Sequence, residues 1–482
     1  MEHPLAETIY DVAIIGGGPA GYTAAIRAGQ YGLKVALIEK ESKLGGTCLH
    51  WGCIPTKSLL FNAEVYDHLK HAVEYGIEGL GAGKLNWGTI QKRKQGIIDK
   101  HAKGLVFLMK KNKVTVIAGH GRLSGPAKDG VHSVEVQAAA SGSAEGERTS
   151  VKAKNVILAT GSDAKMLPGL VADSQVLTNM EILSLKEIPK SMVVIGSGAV
   201  GVEFGSIFKS FGTEITIVEA LPRLVPNEDE DVSKELARVF RKRGIESFTS
   251  AKFEKLEKTK TNVKVTITAS DGKQMVKEAD KVLVAVGRAP RTDNVGLEKT
   301  KIKPDRGFIT VNEWMQTQEP GVYAVGDIVA GLPQLAHVGA MCGMVVAAKI
   351  AGKYARPVKR ERIPACTYCE PQIGSVGLTE AAAKEKGLAV KIGKFPFSAN
   401  SKASIVDSHE GFVKIVADAK YGEILGVHII GPQATELIAE AVTAMELEAT
   451  VEEMMFTIHA HPTLAEAMLD GFGSVENMAI NA

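Results

Sequence analysis

The stretch Asp11-Val-Ala-Ile-Ile-Gly-Gly-Gly-Pro-Ala-Gly21 joins a short apolar run to three spaced glycines. The apolar run predicts a buried parallel strand, and the residues that follow predict a helix to about Tyr31. A second apolar strand over residues 34–38 then ends at Glu39. This order of strand, glycine turn, helix, strand and acid is typical of a module that binds a dinucleotide.

The same pattern recurs 180 residues further along the chain. There the apolar strand Met192-Val-Val-Ile precedes Gly196-Ser-Gly-Ala-Val-Gly201, and a strand over residues 214–218 ends at Glu219. In both copies the acid lies 23 residues beyond the first glycine. One such motif is a weak signal, but two copies in the same context are strong. They predict an α/β protein with two Rossmann-like dinucleotide-binding domains.

Each glycine of the motif has its own physical reason. The first permits a tight turn, the second lets the backbone approach a pyrophosphate, and the third lets the helix pack on the strand. The helix N-terminus then presents N–H groups and positive charge to the phosphates. The predicted cofactor-binding glycines are Gly16, Gly18, Gly21, Gly196, Gly198 and Gly201. Glu39 and Glu219 are placed to bind an adenosine ribose, and Glu219 favours NAD because it would repel a 2′-phosphate.

Composition narrows the class of protein. The chain has 482 residues, of which 45% are hydrophobic and 23% are charged, which excludes a wholly disordered protein. Its 57 basic and 55 acidic residues give no sign of a nucleic-acid or membrane-surface partner. Five cysteines do not make a secreted disulfide scaffold, and no apolar run is long enough to span a membrane. Without a secretion signal at its start, the chain is expected in the cytoplasm, with a mature chain that has already been trimmed as the alternative.

The segment Gly45-Gly-Thr-Cys48-Leu-His-Trp-Gly-Cys53-Ile-Pro-Thr-Lys57 is the predicted redox centre. Cys48 and Cys53 are separated by four residues and directly precede an apolar helical stretch, which would place both sulfurs near a helix N-terminus. A thiolate is favoured there, and a thiolate is the species that attacks a disulfide. The alternative is a pair of buried structural thiols. Lys57, one turn after Cys53, is a candidate cation for this centre, and Glu203 is its candidate partner.

A second cluster of reactive side chains lies near the C-terminus, in His459-Ala-His461-Pro-Thr-Leu-Ala-Glu466. Pro462 predicts an extended His461 and the opening of a helix. Glu466, in the first turns of that helix, is placed to orient the His461 imidazole, which would make it a general base for a thiol. The alternative is an ordinary core or surface histidine.

Other stretches add weaker signals. Apolar strands close on Thr160-Gly-Ser162 and on Gly287, and a strand over residues 317–325 leads to Gly-Asp327, an acid that suits a ribityl chain. Cys366 and Cys369 are interpreted as two buried strand thiols, with an accessory disulfide as the alternative, and Cys342 as part of a helical core. Residues 141–150 are predicted to form an exposed loop.

These motifs together resemble the pyridine nucleotide–disulfide oxidoreductases, and most closely the branch of that family that oxidises dihydrolipoamide. The resemblance covers essentially the whole chain and includes GGTCLHWGCIPTKSLL, VEALPRLVPNED, VGRAP, YAVGD and HAHPTLAEA in the family's order. It implies FAD on the first module, NAD on the second, a central domain that completes the FAD site, and an α+β dimer-interface domain. The implied domain bounds are 1–163, 164–292, 293–360 and 361–482.

The resemblance also assigns roles to residues. It implies that Cys48 meets the substrate, that Cys53 lies beside the flavin, and that Lys57 and Glu203 form an ion pair near the flavin. It implies that the dyad of His461 and Glu466 comes from the other subunit of an obligatory homodimer. The further cofactor contacts that it implies are Gly121, Thr160, Gly161, Ser162, Gly287, Asp327, Leu335, Ala336 and His337.

The activity implied is the oxidation of protein-bound dihydrolipoamide through a Cys48–Cys53 disulfide and FAD, with reduction of NAD⁺. The implied partners are lipoyl domains of acyltransferase subunits or of glycine cleavage H-type proteins. The nearest rival is a glutathione reductase, which Leu464-Ala465 and the acidic Glu219 disfavour. An alternative of another class is a non-catalytic flavin-binding assembly subunit, which would have lost some of the redox residues.

Overall fold

A computed structural model of the chain describes residues 8–79, 83–138 and 148–481. Its helices in chain order are α1 (Pro19–Gln30), α2 (Gly46–Trp51), α3 (Cys53–Lys70), α4 (Trp87–Lys111), α5 (Asn179–Leu183), α6 (Ala199–Ser210), α7 (Glu230–Lys242), α8 (Ala336–Ile350), α9 (Glu380–Glu385), α10 (Ser401–Ile405), α11 (Ala434–Glu446), α12 (Val451–Met455) and α13 (Glu466–Val475). In this part of the chain no helix is both long and apolar enough to cross a bilayer.

The strands in chain order are β1 (Ile9–Ile15), β2 (Val35–Glu39), β3 (Thr115–Ala118), β4 (His120–Leu123), β5 (His132–Gln137), β6 (Arg148–Leu158), β7 (Ser162–Ala164), β8 (Val176–Leu177), β9 (Ser191–Ile195), β10 (Glu214–Val218), β11 (Glu246–Phe248), β12 (Lys252–Lys258), β13 (Val263–Thr268), β14 (Gln274–Ala279), β15 (Lys281–Val284), β16 (Arg288–Pro290), β17 (Val322–Ala324), β18 (Ala365–Thr367), β19 (Gln372–Gly377), β20 (Val390–Pro396), β21 (Phe412–Asp418) and β22 (Ile424–Gly431). Residues 148–150 thus begin β6 and are not a loop as predicted, whereas 141–147 lie outside the described residues.

The chain divides into two compact units, each built from separate stretches. The first contains residues 1–55, 91–165 and 288–358, and the second contains 56–90, 166–287 and 359–482. The four domain bounds implied by the resemblance stay a prediction. The predicted α/β class is confirmed, since both units contain a parallel sheet with the strand and helix order of a dinucleotide fold.

The first unit is built around one large sheet, in the order β3-β2-β1-β6-β5-β4, with β17 also paired to β6. Strands β3, β2, β1, β6 and β17 run parallel, whereas β4 and β5 extend the sheet by antiparallel pairing. Strand β1 is almost fully buried, because helices cover both faces of a parallel sheet and its residues 12–15 are all apolar. The carboxyl end of β1 leads directly into the first glycine turn, as the sequence predicts.

The second unit contains a fully parallel sheet in the order β11-β10-β9-β15-β8, a small antiparallel sheet β12-β13-β14, and an antiparallel sheet β18-β19-β22-β21-β20. Helices α11 and α13 pack on the last of these sheets. Gly374 and Gly393 permit that packing, because a Cβ at either position would lie 2.4–2.5 Å from a carbonyl oxygen of the covering helix. The sheet therefore positions the start of α13, where the predicted dyad lies.

Candidate active site

The first glycine turn lies at the carboxyl end of β1 and has the close packing that the sequence predicts. Gly16 has a φ of 109°, and a Cβ on Gly21 would lie 1.8 Å from the Gly16 carbonyl oxygen. Helix α1 begins at Pro19, with Gly18 as its N-cap. No side chain caps this helix, so its first N–H groups are available to an anionic ligand.

Glu39, at the end of β2, is tied to this turn. Its Oε2 accepts a hydrogen bond of 2.6 Å from the Gly17 N–H, and its Oε1 accepts one of 2.8 Å from the Glu41 N–H. The carboxylate is therefore fixed at the rim of the turn with lone pairs still available to a ribose.

A cavity of about 370 Å³ opens beside Glu39. Gly16, Gly121 and Thr160 line it together with Glu39, so four residues predicted from separate parts of the sequence meet at one cavity. A Cβ on Gly121 would lie only 3.1–3.2 Å from the side chains of Ile38 and Ile15, so glycine keeps this wall flat. The volume and the polar groups suit the adenosine half of a dinucleotide, and the residues present therefore fit FAD.

The predicted residues after β6 form a second polar cluster in the same unit. The Ser162 hydroxyl donates to Asp327 Oδ2 at 2.5 Å, and the Thr160 hydroxyl donates to the Arg291 carbonyl oxygen at 2.5 Å. Gly161 accepts a hydrogen bond of 2.8 Å from the Arg291 N–H. Asp327 lies in a short 3-10 turn, Gly326–Ile328, which follows a β17 shorter than the predicted strand.

Arg288 belongs to this cluster, although the sequence did not single it out. Its Nε donates to the Ser162 hydroxyl at 2.7 Å, and its Nη2 donates to the Ser162 carbonyl oxygen at 2.6 Å. Burial lowers the pKa of Arg288, and the nearby Asp327 charge opposes that shift. Arg288 lies directly after Gly287 in the VGRAP motif. Its partner Ser162 lies more than 100 residues earlier in the sequence, and Asp327 lies 39 residues later, so the motif alone does not predict these contacts.

Leu335, Ala336 and His337 lie at the start of α8, where Leu335 is the N-cap. Helices α8 and α1 pack closely, because a Cβ on Gly343 would lie 2.4 Å from the Ala20 carbonyl oxygen. Cys342 is fully buried in α8, and its assignment to a helical core is confirmed.

The redox segment packs against the first glycine turn. The Gly45 N–H donates to the Gly17 carbonyl oxygen at 2.9 Å, and a Cβ on Gly46 would lie 2.7 Å from the Gly18 Cα. The structure adds a short helix that was not predicted, because Cys48 lies in the first turn of α2, which precedes α3. Cys53 is the first residue of α3, where exposed N–H groups favour a negative sulfur.

Tyr22 is a neighbour of both cysteines that sequence reasoning missed. It lies on α1, one residue after the last glycine of the first motif. Burial raises the pKa of Tyr22, and negative charge on Cys48 and Cys53 raises it further. The phenol of Tyr22 therefore stays protonated and keeps its hydrogen-bond donor.

The predicted contact between Lys57 and Glu203 is formed in the second unit. Lys57 Nζ donates to both carboxylate oxygens, at 2.9 Å and 2.8 Å. Glu203 is 4% exposed, and its Oε1 also accepts a hydrogen bond of 2.9 Å from the Tyr368 N–H. A buried carboxylate needs such hydrogen-bond partners to offset the cost of leaving water. The role of this pair near a flavin stays a prediction.

The second glycine turn repeats the geometry of the first. A Cβ on Gly201 would lie 1.9 Å from the Gly196 carbonyl oxygen, whereas a Cβ on Gly198 would meet nothing within 4 Å. That open side is where a pyrophosphate would approach the backbone. Gly287 has a φ of 114° and follows β15.

Glu219 accepts hydrogen bonds from the second glycine turn, as Glu39 does from the first. Its Oε2 accepts hydrogen bonds from the N–H and the hydroxyl of Ser197, at 2.8 Å and 2.7 Å. Its Oε1 accepts one of 2.8 Å from the Leu221 N–H. Arg223, the nearby cation, donates to the carbonyl oxygens of Pro226 and Glu228. A carboxylate at this position is unfavourable for a 2′-phosphate.

The predicted dyad is formed at the start of α13. His461 Nδ1 lies 2.9 Å from Glu466 Oε1, and the Thr463 N–H donates to Glu466 Oε2 at 2.8 Å. The Thr463 N–H lowers the pKa of Glu466, and His461 adds to this shift. Because Nδ1 is bonded to Glu466, Nε2 is the nitrogen left to exchange a proton. The His461 side chain is 71% exposed.

The local structure around the dyad differs from the prediction. Helix α13 begins at Glu466, so Pro462 does not open it, and Glu466 is its first residue. The Glu466 carboxylate accepts a hydrogen bond from the Thr463 N–H in the turn before the helix. The same carboxylate therefore stabilises this turn and orients His461. A second histidine, His459, lies 2.9 Å from Glu440 Oε1 and is 6% exposed.

The Cys366–Cys369 segment agrees only partly with its prediction. Cys366 lies in β18, but Cys369 follows the end of that strand and is fully buried. Both are free thiols. Burial raises the pKa of Cys366 to about 11 and that of Cys369 well above its usual value, so neither sulfur is a ready nucleophile.

Residues 10–343 match the model of the pyridine nucleotide-disulphide oxidoreductases, and residues 363–471 match the dimerisation domain of the same family. The chain belongs to this family. As a pyridine nucleotide–disulfide oxidoreductase it is an enzyme that uses FAD and NAD, and its dimerisation domain indicates a homodimer.

Individual members of the pyridine nucleotide–disulfide oxidoreductases match nearly the whole chain. The dihydrolipoyl dehydrogenase of Bacillus subtilis is 45% identical, with 98% of this chain and 99% of the relative covered. That of Rhizobium etli is 43% identical, with 97% and 99% covered. The crystal structure of LpdA from Mycobacterium tuberculosis has a TM-score of 0.87 and 28% identity, with 96% and 98% covered.

Proposed function

We propose that the chain is a dihydrolipoyl dehydrogenase, which oxidises protein-bound dihydrolipoamide to lipoamide and reduces NAD⁺. The observation that carries this proposal is the redox segment, in which Cys48 and Cys53 follow a Gly45–Gly46 turn packed on the first dinucleotide turn. The near-full-length similarity to dihydrolipoyl dehydrogenases supports the choice of substrate. The first module holds FAD and the second holds NAD in this proposal.

The reaction begins with proton transfer to a base. Glu466 fixes the His461 tautomer, and His461 Nε2 removes a proton from one thiol of the substrate. The resulting thiolate attacks Cys48 of the oxidised pair, so a Cys48–substrate disulfide forms and the Cys48–Cys53 bond breaks. The second substrate thiol, after deprotonation, attacks its neighbouring sulfur, releases Cys48 and leaves as lipoamide. Two electrons now reside on the two cysteines.

The rest of the chain holds the cofactors in place. Glu39, Gly121 and Asp327 are proposed to hold FAD, which when bound carries the electron pair between the thiols and NAD⁺. Glu219 is proposed to hold the adenosine ribose of NAD and to disfavour NADP. Lys57 is proposed to stabilise negative charge that develops beside it, while Glu203 fixes its position.

The proposed partners are lipoyl domains of acyltransferase subunits or of glycine cleavage H-type proteins. The proposed location is the cytoplasm, which cell fractionation would test. The enzyme would then serve as the dehydrogenase component of a 2-oxoacid dehydrogenase or glycine cleavage complex. The dithiol is the same in each case, so pull-down with lipoylated domains of each type would identify the partner.

The assay that tests the proposed function uses the purified, FAD-loaded dimer. NAD⁺ reduction with dihydrolipoamide is compared with NADPH-dependent reduction of glutathione disulfide, and Cys48→Ser is the control. We expect turnover in the first assay, little in the second, and none with Cys48→Ser. Robust glutathione turnover without lipoamide activity would assign the chain to the glutathione reductase branch, and a flavin-loaded dimer inactive in both assays would indicate an assembly subunit.

A further inference from the structure

Val225 has a backbone conformation that branched side chains rarely adopt. Its φ is 41°, in the left-handed region, and its side chain is 4% exposed in the hydrophobic core of the second unit. For a β-branched residue this conformation is unfavourable, and it persists only where neighbouring contacts impose it. Strained residues of this kind are concentrated at binding sites, and the contacts of Val225 lead to one.

The first of these contacts is with the second glycine turn. The Val225 N–H donates to the Ser197 carbonyl oxygen at 3.2 Å. Ser197 is fully buried and lies directly after Gly196, and its own N–H and hydroxyl donate to Glu219. The turn is therefore held at Ser197 by two groups, the proposed ribose-binding acid and the strained residue. Relaxing φ to a negative value would redirect the chain at Val225, so this bond and the strain are linked.

Residues 220–229, which we call the strap, connect this turn to a buried cluster of charges. Arg223 donates to two carbonyl oxygens of the strap, at 2.9 Å and 3.3 Å. The Glu228 N–H donates to the Val225 carbonyl oxygen at 2.9 Å. These internal hydrogen bonds make the strap stiff, so a displacement of its last residue, Asp229, is transmitted to Val225.

The last residue of the strap is anchored in the dimerisation domain. Asp229 is 2% exposed, and it accepts hydrogen bonds from Lys414 Nζ at 2.8 Å and from the Glu380 N–H at 3.2 Å. The Lys414 side chain is 3% exposed and also contacts the carboxylates of Asp231 and Glu380, at 3.0 Å and 2.8 Å. Removing this ammonium would leave buried negative charge uncompensated. The strap, the glycine turn and Lys414 all belong to the second unit.

We propose that the strap positions the second glycine turn for the pyrophosphate of NAD, with Val225 as its contact with the turn and Lys414 as its anchor. Both are positioning residues, which act on the cofactor through Ser197. This inference rests on the proposed function, in which the second module holds NAD. It makes the affinity for NAD depend on a residue of the dimerisation domain.

The test measures the dissociation constant of ADP-ribose by isothermal titration calorimetry on the full-length, FAD-loaded dimer. ADP-ribose contains the adenosine and the pyrophosphate of NAD but no nicotinamide, so it binds without electron transfer. One pair of variants tests the contact with the turn. Val225→Pro removes the N–H and the positive φ, whereas Val225→Gly keeps the N–H and permits the positive φ. Both variants remove the branched side chain, so a difference between them isolates the backbone contact.

A second pair of variants tests the anchor. Lys414→Met removes the buried ammonium, and Asp229→Asn replaces it if that dimer does not take up FAD. Lys384→Met is the matched control, because the exposed Lys384 bonds the other oxygen of the same Glu380 carboxylate, at 2.6 Å. Turnover at saturating NAD⁺ and the rate of flavin reduction by dihydrolipoamide are measured on every variant, since a general loss of structure would lower both.

We expect Val225→Pro and Lys414→Met each to raise the dissociation constant of ADP-ribose about tenfold, and Val225→Gly and Lys384→Met to stay within about threefold of the parent. The KM for NAD⁺ should rise in parallel, while kcat and the rate of flavin reduction stay within about twofold. An unchanged dissociation constant in Val225→Pro or in the anchor variant overturns the inference. So does an equal rise in Val225→Gly or Lys384→Met, or an equal loss of kcat. A parent dimer that does not bind ADP-ribose overturns instead the placement of NAD on the second module, and the inference with it.

Discussion

Two histidines of the C-terminal segment are held by carboxylates in different surroundings. His459 is bonded to Glu440 and to the Thr457 carbonyl oxygen and is almost fully buried. His461 is bonded to Glu466 alone and is largely exposed. A proton-transfer group must reach its substrate, so exposure distinguishes the two. Because the pKa of Glu466 lies below its usual value, the carboxylate stays charged in mild acid, and its stabilisation of the histidine is lost only as the pH falls through that lowered pKa.

His461→Gln is expected to lower dihydrolipoamide turnover by about 10²-fold or more, because the amide cannot accept the thiol proton. Steady-state rates with dihydrolipoamide and NAD⁺ measure this loss. His459→Gln is the matched control, and its rate per folded dimer should stay within a few-fold of wild type. Near-wild-type turnover in His461→Gln, or an equal loss in both variants, would contradict the assignment of the base.

Helix α6 contains two glycines in unlike packing environments. A Cβ on Gly201 would lie 1.9 Å from a backbone oxygen, which cannot move without displacing the strand. A Cβ on Gly205 would meet only methyl groups of Ile217 and Ile215, at 3.5–3.6 Å, which is ordinary contact. The motif glycine is therefore required by close approach, and its neighbour one turn later is not.

Gly201→Ala is expected to destabilise the chain by about 1–3 kcal/mol or more, because the added methyl group forces the helix away from the strand. Gly205→Ala should stay within about 1 kcal/mol of wild type, since alanine favours a helix. Thermal unfolding of the two variants gives the comparison. If both glycines tolerate alanine equally, the close approach at Gly201 is not a constraint on this fold.

The elements around the glycine motifs were predictable because their causes are local. Strand, turn, helix and acid follow one another directly in each copy, with the acid 23 residues beyond the first glycine, and the structure reproduces them. The start of α13 was missed because Pro462 is a helix-start signal, whereas the acid at Glu466 also bonds the preceding turn. Contacts between residues that are far apart in the sequence could mostly not be predicted.

Arg288 and Tyr368 illustrate that limit. Arg288 meets Ser162 across 126 residues, and Tyr368 meets Glu203 across 165. The residue type alone does not predict such a contact, because arginines and tyrosines occur at many surface and core positions. Lys57 and Glu203 were paired in advance from their positions, one turn after Cys53 and two residues after the second glycine motif, and the resemblance to a known family implied the same pair.

At the scale of the whole molecule, the dimerisation domain makes the second subunit part of the enzyme. The family resemblance implies that the dyad of His461 and Glu466 serves the cysteines of the other chain. A twofold dimer would then contain two composite sites, each with sulfurs from one chain and a base from its partner.

Mixing two inactive variants tests this arrangement. Cys48→Ser and His461→Gln chains, dissociated and reassociated at equal amounts, should regain about a quarter of wild-type activity, since half the dimers are mixed and one of their two sites is intact. Each variant treated alone is the control. If each chain carried its own complete site, no combination would restore turnover, and absence of recovery in verified mixed dimers would sink the shared-site account.

The paired acids Glu39 and Glu219 have a consequence for anyone who would redesign coenzyme choice. Each carboxylate ties down its own glycine turn by accepting the N–H of the residue after the first motif glycine. Replacing Glu219 by a neutral residue would remove the group that binds the adenosine ribose. It would also remove a hydrogen bond that holds the glycine turn at the pyrophosphate site, so this turn would become less rigid. Selectivity and preorganisation are coupled in one side chain, so a switch of preference is expected to need a compensating loop change elsewhere.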